Sequence, residues 1–152
     1  MVSLATLVRP QLVFRELAPA SWEAALGELA GGVAAAGWVA DGADLHRRLL
    51  ARERQGPTTV GGGVALPHCK VENLARPLVA VGLLSPPGIS AGAPDGEPVR
   101  ALFLVISPEQ APAVHLQVLA AISRWLKAPG RIAQLLAASS AAEVMRVMEE
   151  GP

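Results

Sequence analysis

Arg52-Glu53-Arg54-Gln55-Gly56-Pro57-Thr58-Thr59-Val60-Gly61-Gly62-Gly63-Val64-Ala65-Leu66-Pro67-His68 runs from the end of a charged helix, through three consecutive glycines and a short apolar strand, to a Pro-His pair. Glycine lets a backbone bend sharply and come close to a ligand. A histidine just after a strand, fixed by the proline before it, sits where a loop presents it to another molecule. Imidazole is also the side chain best suited to carry a proton or a phosphoryl group near neutral pH. The segment reads as a histidine site with an arginine nearby, and the rest of the chain reads as its scaffold.

Upstream of this stretch, Leu12 to Leu17 reads as a first strand or extended entry. Ser21 is the expected N-cap of a helix whose apolar residues Trp22, Ala25, Leu26, Leu29 and Val33 recur at helical spacing, with Gly37 ending it. Asp41 or Asp44 caps a second helix running to about Arg54, with Leu45, Leu49 and Leu50 inward, and Gly56-Pro57 stops it. Downstream, Val64 to Leu66 is a short strand. Leu78 to Leu84 is a longer one, continuously apolar and so expected to be buried on both faces. Asp95-Gly96 marks a turn before a strand over Val99 to Ile106. Ala111 to Lys127 is expected to be helical, with Leu116, Leu119, Ile122 and Leu126 at core spacing. Helical pieces over Arg131 to Ala138 and Ala141 to Glu149 close the chain, with Ser139 or Ser140 as cap of the second. Helices and strands interleave without a clean βαβ repeat. The expected fold is α/β (α+β), a mixed sheet with helices on both faces.

Composition narrows the function. The chain of 152 residues is 51% hydrophobic and 17% charged, which suits one well-cored domain rather than a disordered chain. Thirteen basic residues balance thirteen acidic ones, so there is no basic excess to neutralise nucleic-acid phosphates. Aromatics are 3% of the chain and tyrosine is absent, which leaves few platforms for base stacking. No apolar run approaches the ~20 residues of a membrane span, and the stretch from Met1 to Pro10 lacks the basic start of a signal peptide. A lone cysteine, Cys69, makes no internal disulfide and suits a reducing, cytoplasmic setting.

His68 is the foremost candidate for chemistry. His115 stands near the start of the Ala111–Lys127 helix, where the helix dipole favours an anionic group. On its own it reads as a partly buried helix residue. It joins the site if the Val99–Ile106 strand lies beside Val64–Leu66. Arg52 is an anion clamp by its planar fork, or a solvated arginine on a helix end. Glu53, one position on, points to another side of the helix. Arg47, Arg48 and Arg54 read as solvated, and His46 as structural or surface. Cys69 alternates with His68 in an extended segment, so the two point apart and make no dyad. Three histidines and one cysteine at scattered spacing match no metal pattern. The glycine run lacks both the Lys-Ser/Thr ending of a nucleotide loop and the dinucleotide fingerprint. No metal or cofactor is expected.

Glu53, Val60, Gly61, Val64, Ala65, Leu66, Pro67, His68 and Cys69 together meet a longer pattern. It is an acidic or amide residue, six spacers, an aliphatic, a small residue, two spacers, then aliphatic-Ala-aliphatic-Pro-His and a small residue, with Thr58 at a position commonly threonine. By that pattern the chain resembles the fructose/mannitol-type enzyme IIA of the bacterial phosphoenolpyruvate-dependent sugar phosphotransferase system, a family that includes nitrogen-regulatory IIA proteins. Ala36-Gly37-Trp38-Val39, Asp95-Gly96-Glu97-Pro98-Val99 and the segment from Pro108 through His115-Leu116 extend the likeness over roughly residues 11–148. The resemblance implies an IIA domain over residues 1–152 with a mixed sheet of about five strands. It implies that His68 accepts a phosphoryl group from the carrier protein HPr and passes it to an enzyme IIB, assisted by His115 and Arg52, without a metal. The alternative is a regulatory IIA whose phosphorylation state controls protein partners. Two features depart from relatives: Gly62 offers no side chain between the fixed glycines, and Ala111-Pro112-Ala113-Val114 is an unusually apolar approach to His115.

Overall fold

Strand β6 (Ala101–Pro108) lies at the middle of the sheet and is buried along its whole length, as is its antiparallel neighbour β5 (Leu78–Leu84). The computed structural model describes residues 3–150. Met1 and Val2, where the reading of the amino-terminal stretch begins, lie outside them. Before β5 come α1 (Leu4–Leu7), β1 (Val8–Leu17), α2 (Trp22–Ala35), α3 (Gly42–Glu53), β2 (Thr59–Gly61), β3 (Val64–Ala65) and β4 (His68–Val71). After β6 come α4 (Pro112–Leu126), α5 (Arg131–Ala137) and α6 (Ala141–Glu149).

The sheet has six strands, against an expectation of about five, and the difference has a local cause. The order is β1-β5-β6-β3-β2, with β4 also on β6. β3 and β4 lie end to end along one edge of β6 in an unbroken parallel register, Val64 opposite Ala101 and His68 opposite Val105. The segment is one strand position interrupted at Leu66-Pro67, where proline has no N–H to give a ladder. β1 runs parallel to β5, and β2 antiparallel to β3, so the sheet is mixed.

Alternation along the central strands divides the core in two. Val79, Val81, Ala101, Phe103 and Val105 face Val118, Ile122 and Trp125 of α4 and Val144 of α6. Ala80, Leu102, Leu104 and Ile106 face Leu26, Leu29 and Val33 of α2 and Leu45 and Leu49 of α3. Two covered faces explain why β5 and β6 read as unbroken apolar runs. Gly82 sits where a Cβ would lie 3.0 Å from Leu102 and 3.1 Å from Leu29, so its bareness lets α2 settle onto the sheet.

Capping fixes the helix bounds. Ser21 accepts from the Ala24 N–H at 3.0 Å. Asp41, rather than Asp44, caps α3 by accepting from the Asp44 N–H, and Ser140, rather than Ser139, caps α6. α2 ends in a Schellman turn, with the Gly37 N–H on the Ala34 carbonyl and the Trp38 N–H on that of Val33.

Three expectations are corrected. β6 begins at Ala101, because Val99 instead bridges Ile89. The α4 stripe is one residue out of phase: Leu116 is 67% exposed, and the buried face runs His115, Val118, Ile122, Trp125. The glycines make the sharp bend expected of them, but at a distance from the histidine rather than beside it. Gly61, Gly62 and Gly63 all have positive φ and turn the β2–β3 hairpin, where the Gly62 N–H donates to the Asp95 carboxylate at 2.9 Å. That turn lies at the far end of the interrupted strand, about 16 Å from His68 at ~3.3 Å per residue.

Candidate functional site

The break at Leu66-Pro67 builds the site. His68 is the first residue of β4, not a loop residue after a strand, and its neighbours in the ladder fix its backbone. Its Nδ1 lies 2.7 Å from the Leu66 carbonyl oxygen. A carbonyl only accepts, so Nδ1 carries the proton and Nε2 keeps its lone pair. Nε2 meets the Nε–H of Arg52 at 3.3 Å, a long and weak hydrogen bond.

Arg52 stands in the last turn of α3. Its Nη1 donates to the Gly56 carbonyl at 2.9 Å, and among the described residues its Nη2 has no protein partner. Glu53 points elsewhere, as expected from its position, and accepts from the Thr58 hydroxyl. Thr58 is buried, and its carbonyl accepts from the Leu66 N–H. Glu53 and Thr58 thereby join the end of α3 to the strand that leads to His68, which is the physical content of their place in the motif. Arg48, read as solvated, pairs with Asp44 and Glu72 and donates to the Lys70 carbonyl, tying α3 to β4 from the other side.

β6 carries the chain from β4's edge directly into α4, and so sets His115 beside His68. The ring centroids are 5.1 Å apart with planes at 54°. His115 is buried, and its Nδ1 lies 2.7 Å from Oγ of Ser107, itself fully buried on β6. His68, Arg52 and His115 line one open cavity of about 470 Å³, together with Lys70 and with Leu116 and Leu119 of α4. The sequence points to these three polar residues but not to Ser107 and Lys70. The signal for Lys70 is its i+2 spacing from His68 on one strand face. The signal for Ser107 is the polar break it makes in the inward row Ala101, Phe103, Val105.

Burial, and then the charges of Arg52 and Lys70, hold the His68 pKa below the ordinary imidazole value, partly opposed by the Leu66 hydrogen bond and Glu53. Burial, followed by the influence of His68 and Lys70, takes His115 down to about 4. Both rings are therefore neutral at pH 7. Between about 4 and 6.5 the unfolded chain binds more protons at His115 than the folded one. The stability tied to this ring is complete above 6.5 and is lost as pH falls through about 4. The thermal midpoint of the wild type is expected to fall more steeply across that window than that of His115→Asn. Equal slopes would contradict a neutral, buried His115.

The remaining candidates lie outside the cavity's chemistry. The ring of His46 bonds the Glu23 carbonyl at 2.9 Å and packs over Gly27, joining α3 to α2. Cys69 points to the opposite face, where burial pushes its thiol up to about 12. Among the described residues, no cluster of three His, Cys, Asp or Glu side chains is placed to hold a metal ion, and no helix is long and apolar enough to cross a membrane.

This mixed sheet with helices on both faces has the fold of a phosphotransferase-system IIA component. The solved structure of nitrogen regulatory protein IIA-Ntr from Neisseria meningitidis superposes with a TM-score of 0.86 at 26% identity, covering 95% of this chain and 97% of that one. The chain belongs to the family described as phosphoenolpyruvate-dependent sugar phosphotransferase system, EIIA 2, whose model matches residues 6–151. Among curated relatives, it is 33% identical over 150 residues to the PTS system fructose-specific EIIA component of Haloferax volcanii, covering 99% of this chain and 97% of that protein. It is 36% identical over 146 residues to a nitrogen regulatory protein of Bradyrhizobium diazoefficiens, covering 96% and 94%. Mannitol IIA from Escherichia coli shares the fold, with a TM-score of 0.77 at 22% identity over 92% of this chain and 97% of that one.

Proposed function

We propose that this IIA component accepts a phosphoryl group on Nε2 of His68 from the phosphohistidine of HPr and passes it to an enzyme IIB component. The observation that carries the reading is the Nδ1–Leu66 carbonyl bond, which leaves Nε2 as the lone-pair nitrogen at the cavity beside Arg52. Nε2 attacks phosphorus in line. A new N–P bond forms as the donor's N–P bond breaks, and that bond's electron pair returns to the donor ring. The positive charge gained by the His68 ring is shared through Nδ1–H with the Leu66 carbonyl. Arg52 releases Nε2 and turns its fork to the phosphoryl oxygens, where a planar guanidinium binds two at once. His115 supplies a further contact, and Lys70 adds charge at the mouth. Transfer to IIB reverses these steps on the other partner. Positioning and charge are what phosphoryl transfer chiefly needs.

The test is transfer from phosphoenolpyruvate through enzyme I and HPr to this protein, and from it to IIB. Arg52→Ala is expected to slow acceptance about 10²-fold, the low end for losing one preorganised donor. A rate within twofold of wild type would remove Arg52 from the reaction. With these partners the chain works in the cytoplasm, as one IIA domain over about residues 11–148. The likeness to nitrogen regulatory proteins supports a second reading, in which the phosphorylation state of His68 governs binding to regulated proteins. Rapid discharge to IIB favours transport. Slow discharge, with binding of a target to only one phosphorylation state, favours regulation.

A further inference from the structure

We infer that Ser107 is a positioning residue that fixes His115 as the tautomer protonated on Nε2, making it a hydrogen-bond donor to the transferred phosphoryl group rather than a base. This deepens the reading above and rests on it for its functional half.

The row of side chains that β6 turns toward α4 sets the constraint. Ala101, Phe103 and Val105 are buried and apolar, and Ser107 ends the row with no exposure at all. A hydroxyl in that place needs a partner. Its one hydrogen-bond partner among the described residues is Nδ1 of His115 at 2.7 Å. A neutral imidazole has one N–H and one lone pair, so two arrangements fit that distance. If Nδ1–H donated to Oγ, the serine proton would be buried with no acceptor. If the hydroxyl donates to Nδ1, the buried serine proton is used, the ring's own N–H is left on Nε2 toward the open cavity, and only spare lone pairs on Oγ go unfilled. An unsatisfied buried donor is the costly outcome. The second arrangement therefore holds, and the proton of His115 resides on Nε2.

The consequence is chemical. Nδ1 is turned to the buried serine, so Nε2 is the nitrogen available to the cavity that His115 shares with His68 and Arg52. An N–H there attracts phosphoryl oxygens. A bare lone pair would repel them. The two histidines are thus set oppositely in the resting site: His68 presents a lone pair on Nε2, and His115 presents a proton on the same atom. The first suits a nucleophile and the second suits an oxygen-binding donor.

The experiment is nitrogen-15 NMR of the imidazole rings in the unphosphorylated, full-length protein at pH 7. His115 is expected to show the pattern of the Nε2–H tautomer. The Nδ1–H pattern in the wild type would overturn the inference with no variant needed. Ser107→Ala is expected to convert His115 to a tautomer mixture and to lower the rate of acceptance from phospho-HPr on the order of tenfold, the low end for losing a group that orients a functional ring. Ser107→Thr, which keeps the hydroxyl, is expected to restore both. A tautomer and rate unchanged in Ser107→Ala would overturn the proposal, and a changed tautomer with an unchanged rate would overturn its functional half. Because the tautomer is read without any transfer, its outcome stands apart from failure of the phosphocarrier reading, which would appear as absent labelling of the wild type.

Discussion

His68→Ala is expected to abolish acid-labile phosphate incorporation from phospho-HPr, with no residual labelling at the other two histidines. The reason is the state of each ring. Only at His68 is a neutral imidazole held with Nδ1 tied to a carbonyl and a lone pair on Nε2 at an open cavity. His115 is 6% exposed and has Nδ1 engaged by Ser107, so neither of its nitrogens is a free nucleophile at the surface. His46 is bound to the Glu23 carbonyl on the far side of α3, away from the cavity residues. The measurement is labelling followed by acid and base treatment, since a phosphoramidate is lost in acid and survives base. The variant should keep its fold, because the side chain removed is half-buried and carries a desolvation cost in the native state. Its urea midpoint should correspond to a change within about 1 kcal/mol. Label retained in a folded His68→Ala protein would show that the phosphoryl group rests elsewhere.

Phe103→Ala is expected to have the largest effect on stability. Phe103 is fully buried at the centre of the middle strand, and its ring meets that of Trp125 edge-on, with centroids 6.0 Å apart at 70°. Truncation removes a large apolar side chain from a packed core and leaves a cavity between β6 and α4. Such changes cost about 3–5 kcal/mol, out of a total of about 5–15 for a typical domain. At a urea dependence near 2 kcal/mol per molar, the midpoint should fall by roughly 2 M. A loss below about 1 kcal/mol would mean that α4 collapses into the space. The change should also reach the chemistry. α4 carries His115, and its seat on β6 is what sets that ring 5.1 Å from His68. Transfer by the folded fraction should therefore slow as well, whereas His68→Ala should separate chemistry from stability.

Local signals make much of the scaffold legible in the amino-acid sequence. Leu78–Leu84 reads as a strand because both its faces are covered, and the helix starts are readable because Ser21, Asp41 or Asp44, and Ser139 or Ser140 leave capping signatures, between which the structure chooses Asp41 and Ser140. β2 and β4 leave no such trace. β2 is three residues ending in glycine, and β4 begins His-Cys-Lys, so each is a strand only because β3 or β6 pairs with it. The phase of α4 is hidden for a related reason. Leu116, Leu119, Ile122 and Leu126 offer an apolar stripe at helical spacing, but the helix turns instead on a buried histidine whose polarity is satisfied by Ser107 from another element. The same long-range register decides the site. His68, Arg52 and His115 can each be singled out by type and setting. Their convergence depends on β3 and β4 both lying along β6, which no local stretch encodes.

The interruption of the strand at Leu66-Pro67 bears on how such a protein can change over generations. The proton on the His68 ring is held by a main-chain oxygen at position 66, and every amino acid supplies one. Side-chain replacement there can alter fit but cannot delete that acceptor. The neighbouring ring has no such insurance, since its partner is a hydroxyl that a single altered codon at position 107 removes. Substitution at position 107 can thus release the second ring, while the proton placement of the first is carried by the backbone itself.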